Sequence, residues 1–249
     1  MFVHVVEQSA DGVYISGAKA HQTGCINSHW LLVMPTMRLG EEDKEFAIVG
    51  AIPVDAEGIN YIYGRQSCDL RSMNGGSIDQ GNVNYGGQEA MIIFERVFIP
   101  NELIFMRGEY DFAATLVERF TNYHRRSYVC KTGLGDVLIG AASTVAEYNG
   151  LSKVSHIKDK LVEMTFLNET IFGLGMAASH QAKATESGCY LCDAMLANVC
   201  KHHVTKMPYE IGRLAQDISG GYVATMPGEE ELNHKEIGGL IRKYLKVRS

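Results

Sequence analysis

The densest collection of reactive side chains in the sequence is Tyr123-His124-Arg125-Arg126-Ser127-Tyr128-Val129-Cys130-Lys131. On a helix, His124 and Tyr128 are four residues apart and share a face, and Cys130 and Lys131 follow at the helix end. A soft ligand, an imidazole, a phenol and an ammonium then converge. The plainer reading is a helix C-terminus whose basic residues match its dipole, closed by the glycine-rich Thr132-Gly133-Leu134-Gly135. Residue types alone fit the plainer reading somewhat better.

Glu89 stands in Gly86-Gly87-Gln88-Glu89-Ala90, directly before the apolar run Met91 to Phe94. A carboxylate at the mouth of a buried strand can serve as a general base, although a solvated turn residue satisfies the same pattern more simply. Ala18-Lys19-Ala20-His21-Gln22-Thr23-Gly24 reads as a polar loop between two strands. Its backbone and hydroxyl could hydrogen-bond a planar heterocycle, or it is an ordinary hairpin connection. Gly220 and Gly221, followed by Thr225, either stop a helix or allow close backbone approach to a cofactor phosphate. Cys189-x-x-Cys192 with Cys200, His202 and His203 has zinc-like spacing, but no second matching pair exists and the segment has the periodicity of an amphipathic helix, so core cysteines are expected. No GxGxxG or GxxxxGK[ST] is present, so a Rossmann or P-loop nucleotide site is not supported.

The elements that must position these groups change character near residue 110. Before it, strand-like segments at Phe2–Val6, Gly12–Ser16, Trp30–Met34, Phe46–Val49 and Met91–Phe94 alternate with turn residues, which implies an antiparallel β domain over 1–110. After Asp111, a candidate N-cap, apolar spacing turns helical, predicting helices at about 111–128, 135–149, 155–181, 188–206, 208–221 and 229–246 in a helical domain over 111–249. The fold class is α+β. Both ends are expected to interrupt a longer ancestor, because the first strand has no lead-in and the last basic helix simply stops.

With 249 residues, 46% of them hydrophobic, the chain can bury a sizeable core. A formal charge of −6 gives no broad attraction to nucleic acid or an anionic membrane. No stretch approaches the roughly 20 consecutive apolar residues of a membrane span, and the N-terminal residues lack the basic-then-apolar pattern of a signal peptide. Neither nucleic acid nor membrane is expected as a partner, and a cytoplasmic location is. Six cysteines in that setting read as thiols or metal ligands rather than disulfides.

Taken together, Ala18–Gly24, Tyr63-Gly64-Arg65-Gln66-Ser67-Cys68-Asp69, Gly86–Ala90, Val97-Phe98-Ile99-Pro100-Asn101, Tyr123-His124-Arg125 and Gly135-Asp136-Val137-Leu138-Ile139-Gly140 resemble the 4-hydroxybutyryl-CoA dehydratase/vinylacetyl-CoA Δ-isomerase family. His156–Leu161, Leu167–Thr170, Ala197–Lys201 and Pro208–Ile211 extend the likeness to nearly the whole chain. The resemblance implies an acyl-CoA dehydrogenase-like fold, in which this chain is the middle β domain and an incomplete C-terminal helical domain of a homotetramer. It also implies FAD and a 4Fe-4S cluster held by three cysteines and one histidine, of which His124 and Cys130 match two. Two further cysteines would come from a preceding domain or a companion chain.

By the same resemblance the activity is conversion of 4-hydroxybutyryl-CoA to crotonyl-CoA by a flavin-radical mechanism. His124 would be a cluster ligand and the base for the C2 proton, and Glu89 a further acid/base group. Tyr128 and Lys131 would be polar groups at the reacting centre, Thr23 a flavin partner beside His21 and Gln22, and Gly220, Gly221 and Thr225 further cofactor contacts. The family interval from histidine to cysteine is expected to be one residue longer than that from His124 to Cys130. Two other expectations stand beside this one: a flavin-dependent aromatic monooxygenase of related fold, which needs no cluster, and a non-catalytic fragment or split subunit.

Overall fold

The computed structural model describes residues 2–64, 71–74, 76–80 and 89–245. The chain forms two compact units, Met1–Glu118 and Arg119–Ser249.

The first unit holds β1 (His4–Gln8), β2 (Gly12–Thr23), β3 (Trp30–Val33), β4 (Ile48–Pro53), β5 (Ile59–Tyr63), β6 (Glu89–Pro100) and β7 (Ile104–Arg107). They make two antiparallel sheets, ordered β1-β2-β6-β5 and β3-β4-β7. Successive strand residues point to opposite faces, so Val13 and Ile15 of β2, Val97 and Ile99 of β6, Leu31 and Val33 of β3, and Ile48 and Ile52 of β4 all enter one core. Fully burying each such side chain contributes roughly 1.5–3 kcal/mol.

The β2–β6 ladder carries two irregularities that offset each other. Ile15 pairs with Val97 and Gly17 with Phe94, leaving one extra residue on β6; Lys19 pairs with Ile92 and Gln22 with Ala90, leaving one extra on β2. Each bulge contains a non-glycine residue with left-handed backbone, Arg96 (φ 54°) and His21 (φ 60°). Beyond the second bulge, Thr23 pairs directly with Glu89.

The Ala18–Gly24 loop expectation is therefore corrected: the strand continues through Thr23, and only Gly24 (φ 69°) turns the chain. Apolar periodicity missed this extension because β2 turns polar where it leaves the core. It also missed β5, whose Tyr61 and Tyr63 alternate with polar or exposed neighbours.

The second unit begins inside α1 (Ala113–Ser127) and continues through α2 (Lys131–Tyr148), α3 (Ser155–His180), a short β8 (Lys183–Ala184) and β9 (Tyr190–Leu191) hairpin, α4 (Ala194–Val204) and α5 (Met207–Ser219). Three short helices follow: α6 (Tyr222–Thr225), α7 (Glu229–Asn233) and α8 (Gly238–Tyr244). Ala142 and Ala146 of α2, Ile157, Met164 and Leu167 of α3, and Ile211, Leu214 and Ile218 of α5 form its core.

Three boundaries depart from the periodicity. A 3-10 turn, Tyr110–Phe112, precedes α1, so Asp111 lies within that turn instead of capping the helix. The helix expected at 188–206 starts only at Ala194, where the Asp193 carboxylate accepts from the Leu196 N–H at 2.8 Å. The helix expected at 229–246 is broken between Asn233 and Gly238.

The glycine-rich stop after Lys131 is also corrected. A 3-10 turn, Tyr128–Cys130, joins α1 to α2, which runs straight through Gly133 and Gly135. Gly135 serves close packing instead, since a Cβ there would collide with Asn168 Oδ1 of α3. The helical run Tyr110–Tyr148 is long and apolar enough by length and composition to cross a bilayer, a signal that a search for consecutive apolar residues passes over. Leu138, Ile139, Ala142 and Ala146 pack in the core shared with α3 and α5, as in a bundle helix.

Candidate active site

In the first unit, the end of the β2–β6 ladder brings two of the anticipated residues together. Thr23 donates its hydroxyl hydrogen to Glu89 Oε1. Buried Cys25 lies close behind: burial pushes its thiol pKa up, and the Glu89 carboxylate adds to the rise. Gln22 turns its amide back to the Ala20 carbonyl at 2.7 Å, whereas His21 contributes the strained backbone of the bulge. Gly86, Gly87 and Gln88, together with Arg65–Asp69, lie outside the described residues. One polar pair is thus assembled.

In the second unit, Phe120, His124 and Tyr128 succeed one another at four-residue intervals along α1 and its 3-10 extension. The Phe120 and His124 rings stack at 5.8 Å with a 16° interplanar angle, and the His124 and Tyr128 rings tilt against each other at 4.8 Å. Tyr128 is half-buried against Ile171, Cys200 and Val204, with Lys201 Nζ of α4 4.0 Å from its ring centroid.

Three further ties hold this segment. Tyr123 donates its hydroxyl to the Tyr190 carbonyl, Arg125 Nη1 donates to Asn198 Oδ1 at 2.6 Å, and Asn168 Nδ2 donates to the Thr132 carbonyl at 3.1 Å and to Asp136 Oδ1 at 2.8 Å. Gly175 of α3 admits Val129 closely, because a Cβ there would meet the valine Cβ at 2.8 Å. His124, Cys130 and Lys131 are all exposed. The α4 contributors Asn198 and Lys201 were not anticipated as site residues; the signal available was their helical spacing of three, which places them on one face.

Gly220 (φ 67°) ends α5, and Thr225 returns its hydroxyl to the Gly221 carbonyl at 3.0 Å. These three residues form a helix stop and a short helical turn. The zinc-like cysteines divide as core and surface: Cys192 and Cys200 are buried, with thiol pKa values pushed up by burial, and Cys189 is exposed. Among the described residues no three His, Cys, Asp or Glu side chains gather as metal ligands would. A cavity of about 290 Å³ in the first unit, lined by Phe2, Lys19, Pro35, Met37, Arg38 and Phe46 among others, contains none of the anticipated site residues.

Two antiparallel sheets followed by a helical bundle define an acyl-CoA dehydrogenase-like fold. A glutaryl-coenzyme A dehydrogenase is similar at TM-score 0.62 and 16% identity, covering 86% of this chain and 50% of that one. More particularly, the chain belongs to the 4-hydroxyphenylacetate 3-hydroxylase family, whose N-terminal model matches residues 1–106 and whose C-terminal model matches 113–249.

Within it, the chain is 54% identical over 241 residues to the 4-hydroxybutyryl-CoA dehydratase/vinylacetyl-CoA-Δ-isomerase of Clostridium aminobutyricum, covering 96% of this chain and 49% of that protein. A solved oxygen-tolerant archaeal 4-hydroxybutyryl-CoA dehydratase from N. maritimus is 66% identical with TM-score 0.97, covering 100% of this chain and 50% of the other. The oxygenase component of a Geobacillus 4-hydroxyphenylacetate 3-monooxygenase is 24% identical, covering 98% of this chain and 50% of that protein. The chain spans about half the length of the curated relatives it matches.

Proposed function

We propose that this chain supplies the middle and part of the C-terminal portion of a 4-hydroxybutyryl-CoA dehydratase/vinylacetyl-CoA Δ-isomerase, acting on acyl-CoA with FAD and a 4Fe-4S cluster. The observation that carries this reading is the placement of His124 and Cys130, both exposed, on one continuous helical segment that also carries Tyr128 and Lys131. An imidazole and a thiol are suitable donors for an iron-sulfur cluster. In this reading His124 and Cys130 would be two of its ligands, and the others would come from a companion chain or another part of a tetramer. For FAD, the fitting feature is the Thr23–Glu89 pair at the end of β2, where a hydroxyl with a free acceptor lone pair meets a carboxylate.

When bound, the flavin supplies one-electron chemistry and the cluster a Lewis acid, which together overcome the low acidity of the C3 hydrogen one carbon removed from the thioester. The chain's own residues handle protons and orientation. His124 presents an exposed imidazole that can take the acidic C2 proton, and its ring is set by Phe120 and Tyr128. Glu89, fixed by Thr23, offers a carboxylate for a second proton transfer. Lys131 and Tyr128 would supply an ammonium and a phenol able to hold the thioester oxygen or the leaving hydroxyl.

The test is anaerobic co-expression with the segment that supplies the missing half, followed by flavin and iron quantification and assay with 4-hydroxybutyryl-CoA. Bound flavin, about four irons per assembled site, and crotonyl-CoA formation are expected. Flavin without iron would instead favour a monooxygenase-type relative, and neither cofactor would favour a non-catalytic subunit.

A further inference from the structure

A metal-ligating histidine is ordinarily oriented by a hydrogen bond from its second ring nitrogen to a carboxylate, carbonyl or water. His124 has a different support. Among the described residues, the hydrogen bond between a side chain and His124 is the one its backbone carbonyl accepts from Ser127 Oγ at 2.8 Å, and none reaches its ring nitrogens. Its ring is instead held between Phe120 at 5.8 Å and Tyr128 at 4.8 Å. The lower of these rings is the better anchored, because Tyr128 packs against the Ile171, Cys200 and Val204 cluster and carries the Lys201 ammonium on its face, 4.0 Å from the centroid.

We propose that Lys201 is a positioning residue for His124, acting through the ring of Tyr128. The cation fixes the phenol plane by its attraction to the ring face. That plane in turn limits the rotation of the imidazole it tilts against. Lys201 reaches the ring from α4, which Arg125 also grips through Asn198, so the helix bearing the cation is tied to the helix bearing the imidazole. The proposal rests on the reading of His124 as a functional ligand or base only for its purpose. The mechanical link stands on the geometry alone.

The link is measured first on the cofactor-free chain, by NMR of the His124 ring protons, whose shifts report the neighbouring aromatic rings. Lys201→Met keeps the aliphatic stem and removes the charge; the His124 resonances are expected to move toward the positions of a free imidazole. Lys201→Arg retains a cation over the ring and restores the native shifts, and Lys235→Met, at an exposed cation in the turn between α7 and α8, leaves them unchanged. In a Tyr128→Leu background, Lys201→Met is expected to have no further effect on His124. Native shifts in Lys201→Met, or an additional effect in the Tyr128→Leu background, overturn the proposal. If Lys201→Met unfolds the chain, the Lys201→Gln variant at reduced temperature carries the same comparison.

A second measurement separates this outcome from the proposed function. In the iron-loaded assembly, the nitrogen hyperfine coupling of a histidine ligand is expected to change in Lys201→Met and to recover in Lys201→Arg. Absence of any such coupling in the wild type would sink the ligand role of His124, while the NMR result would still decide the positioning role of Lys201.

Discussion

Thr23 and Glu89 are direct cross-strand partners at the end of the β2–β6 ladder, and the threonine hydroxyl donates to the glutamate carboxylate. Side chains directly opposite on an antiparallel pair stand about 4.5–5.5 Å apart at Cβ, so a short hydroxyl and a longer carboxylate can meet without displacing either strand. The pair is therefore a product of register.

Glu89→Gln keeps the shape and an acceptor for Thr23 but removes the carboxylate charge. Under the proposed function, in an active full-length enzyme, dehydration is expected to fall by about a hundredfold or more. Thr23→Val leaves the charge and removes its tether, with an expected loss of about tenfold. Steady-state assay of both variants checks the order; equal rates for Glu89→Gln and the parent would remove Glu89 from the mechanism.

Gly135→Ala would drive a Cβ into Asn168 Oδ1 and push α2 away from α3. An expected cost of about 1–3 kcal/mol follows from overpacking. Combining it with Asn168→Ala relieves the collision, so the glycine substitution should cost less in that background than in the parent. Urea unfolding of the four proteins measures the coupling.

Lys160 of α3 and Asp217 of α5 lie 2.6 Å apart, and the hydrogen bond from Lys160 holds the Asp217 carboxyl below its ordinary 3.8. As pH falls, the unfolded chain takes up this proton before the folded one does. The pair's contribution is whole above the ordinary value and is lost as pH drops through the lower, folded one. Asp217→Asn should narrow the difference between stabilities at neutral and acid pH. Both groups are partly exposed, so the effect is small and weakens in high salt.

Thiol labelling should divide the cysteines by environment. Cys130 and Cys189 are exposed and are expected to alkylate in the native chain, whereas Cys25, Cys192 and Cys200 are buried and react only on unfolding. Mass spectrometry of peptides after timed alkylation reads the result. Rapid native labelling of Cys200 would contradict its place beside Ile171.

The division into strands and helices is legible in the sequence because Val13, Ile15, Val97 and Ile99 alternate with period two, and Ile157, Met164, Leu167 and Ile171 recur with helical period. The polar ends of β2 and the glycines of α2 were misread for a common reason. Gly135 and His21 answer to neighbours distant in sequence, Asn168 and the β6 ladder, and local pattern contains no trace of those. His124, Tyr128 and Cys130 were visible as reactive types, and the helical four-residue spacing placed two of them on one face. The spacing of Asn198 and Lys201 put them on one face of α4, but only the fold shows that this face meets Arg125 and Tyr128.

The two bulges have a consequence for how the chain tolerates changes in length. Each strand carries one residue beyond what a regular ladder needs, at Arg96 on β6 and at His21 on β2. Deleting His21 leaves Lys19 opposite Ile92 and Thr23 opposite Glu89 while relieving a left-handed backbone, so relatives can differ by a residue there and still deliver the hydroxyl to the carboxylate. Within α1 no such slack exists: each residue added or removed between Phe120 and Tyr128 turns everything beyond it by about 100°. Natural variation in length should therefore gather at the bulges and avoid the aromatic ladder that carries His124.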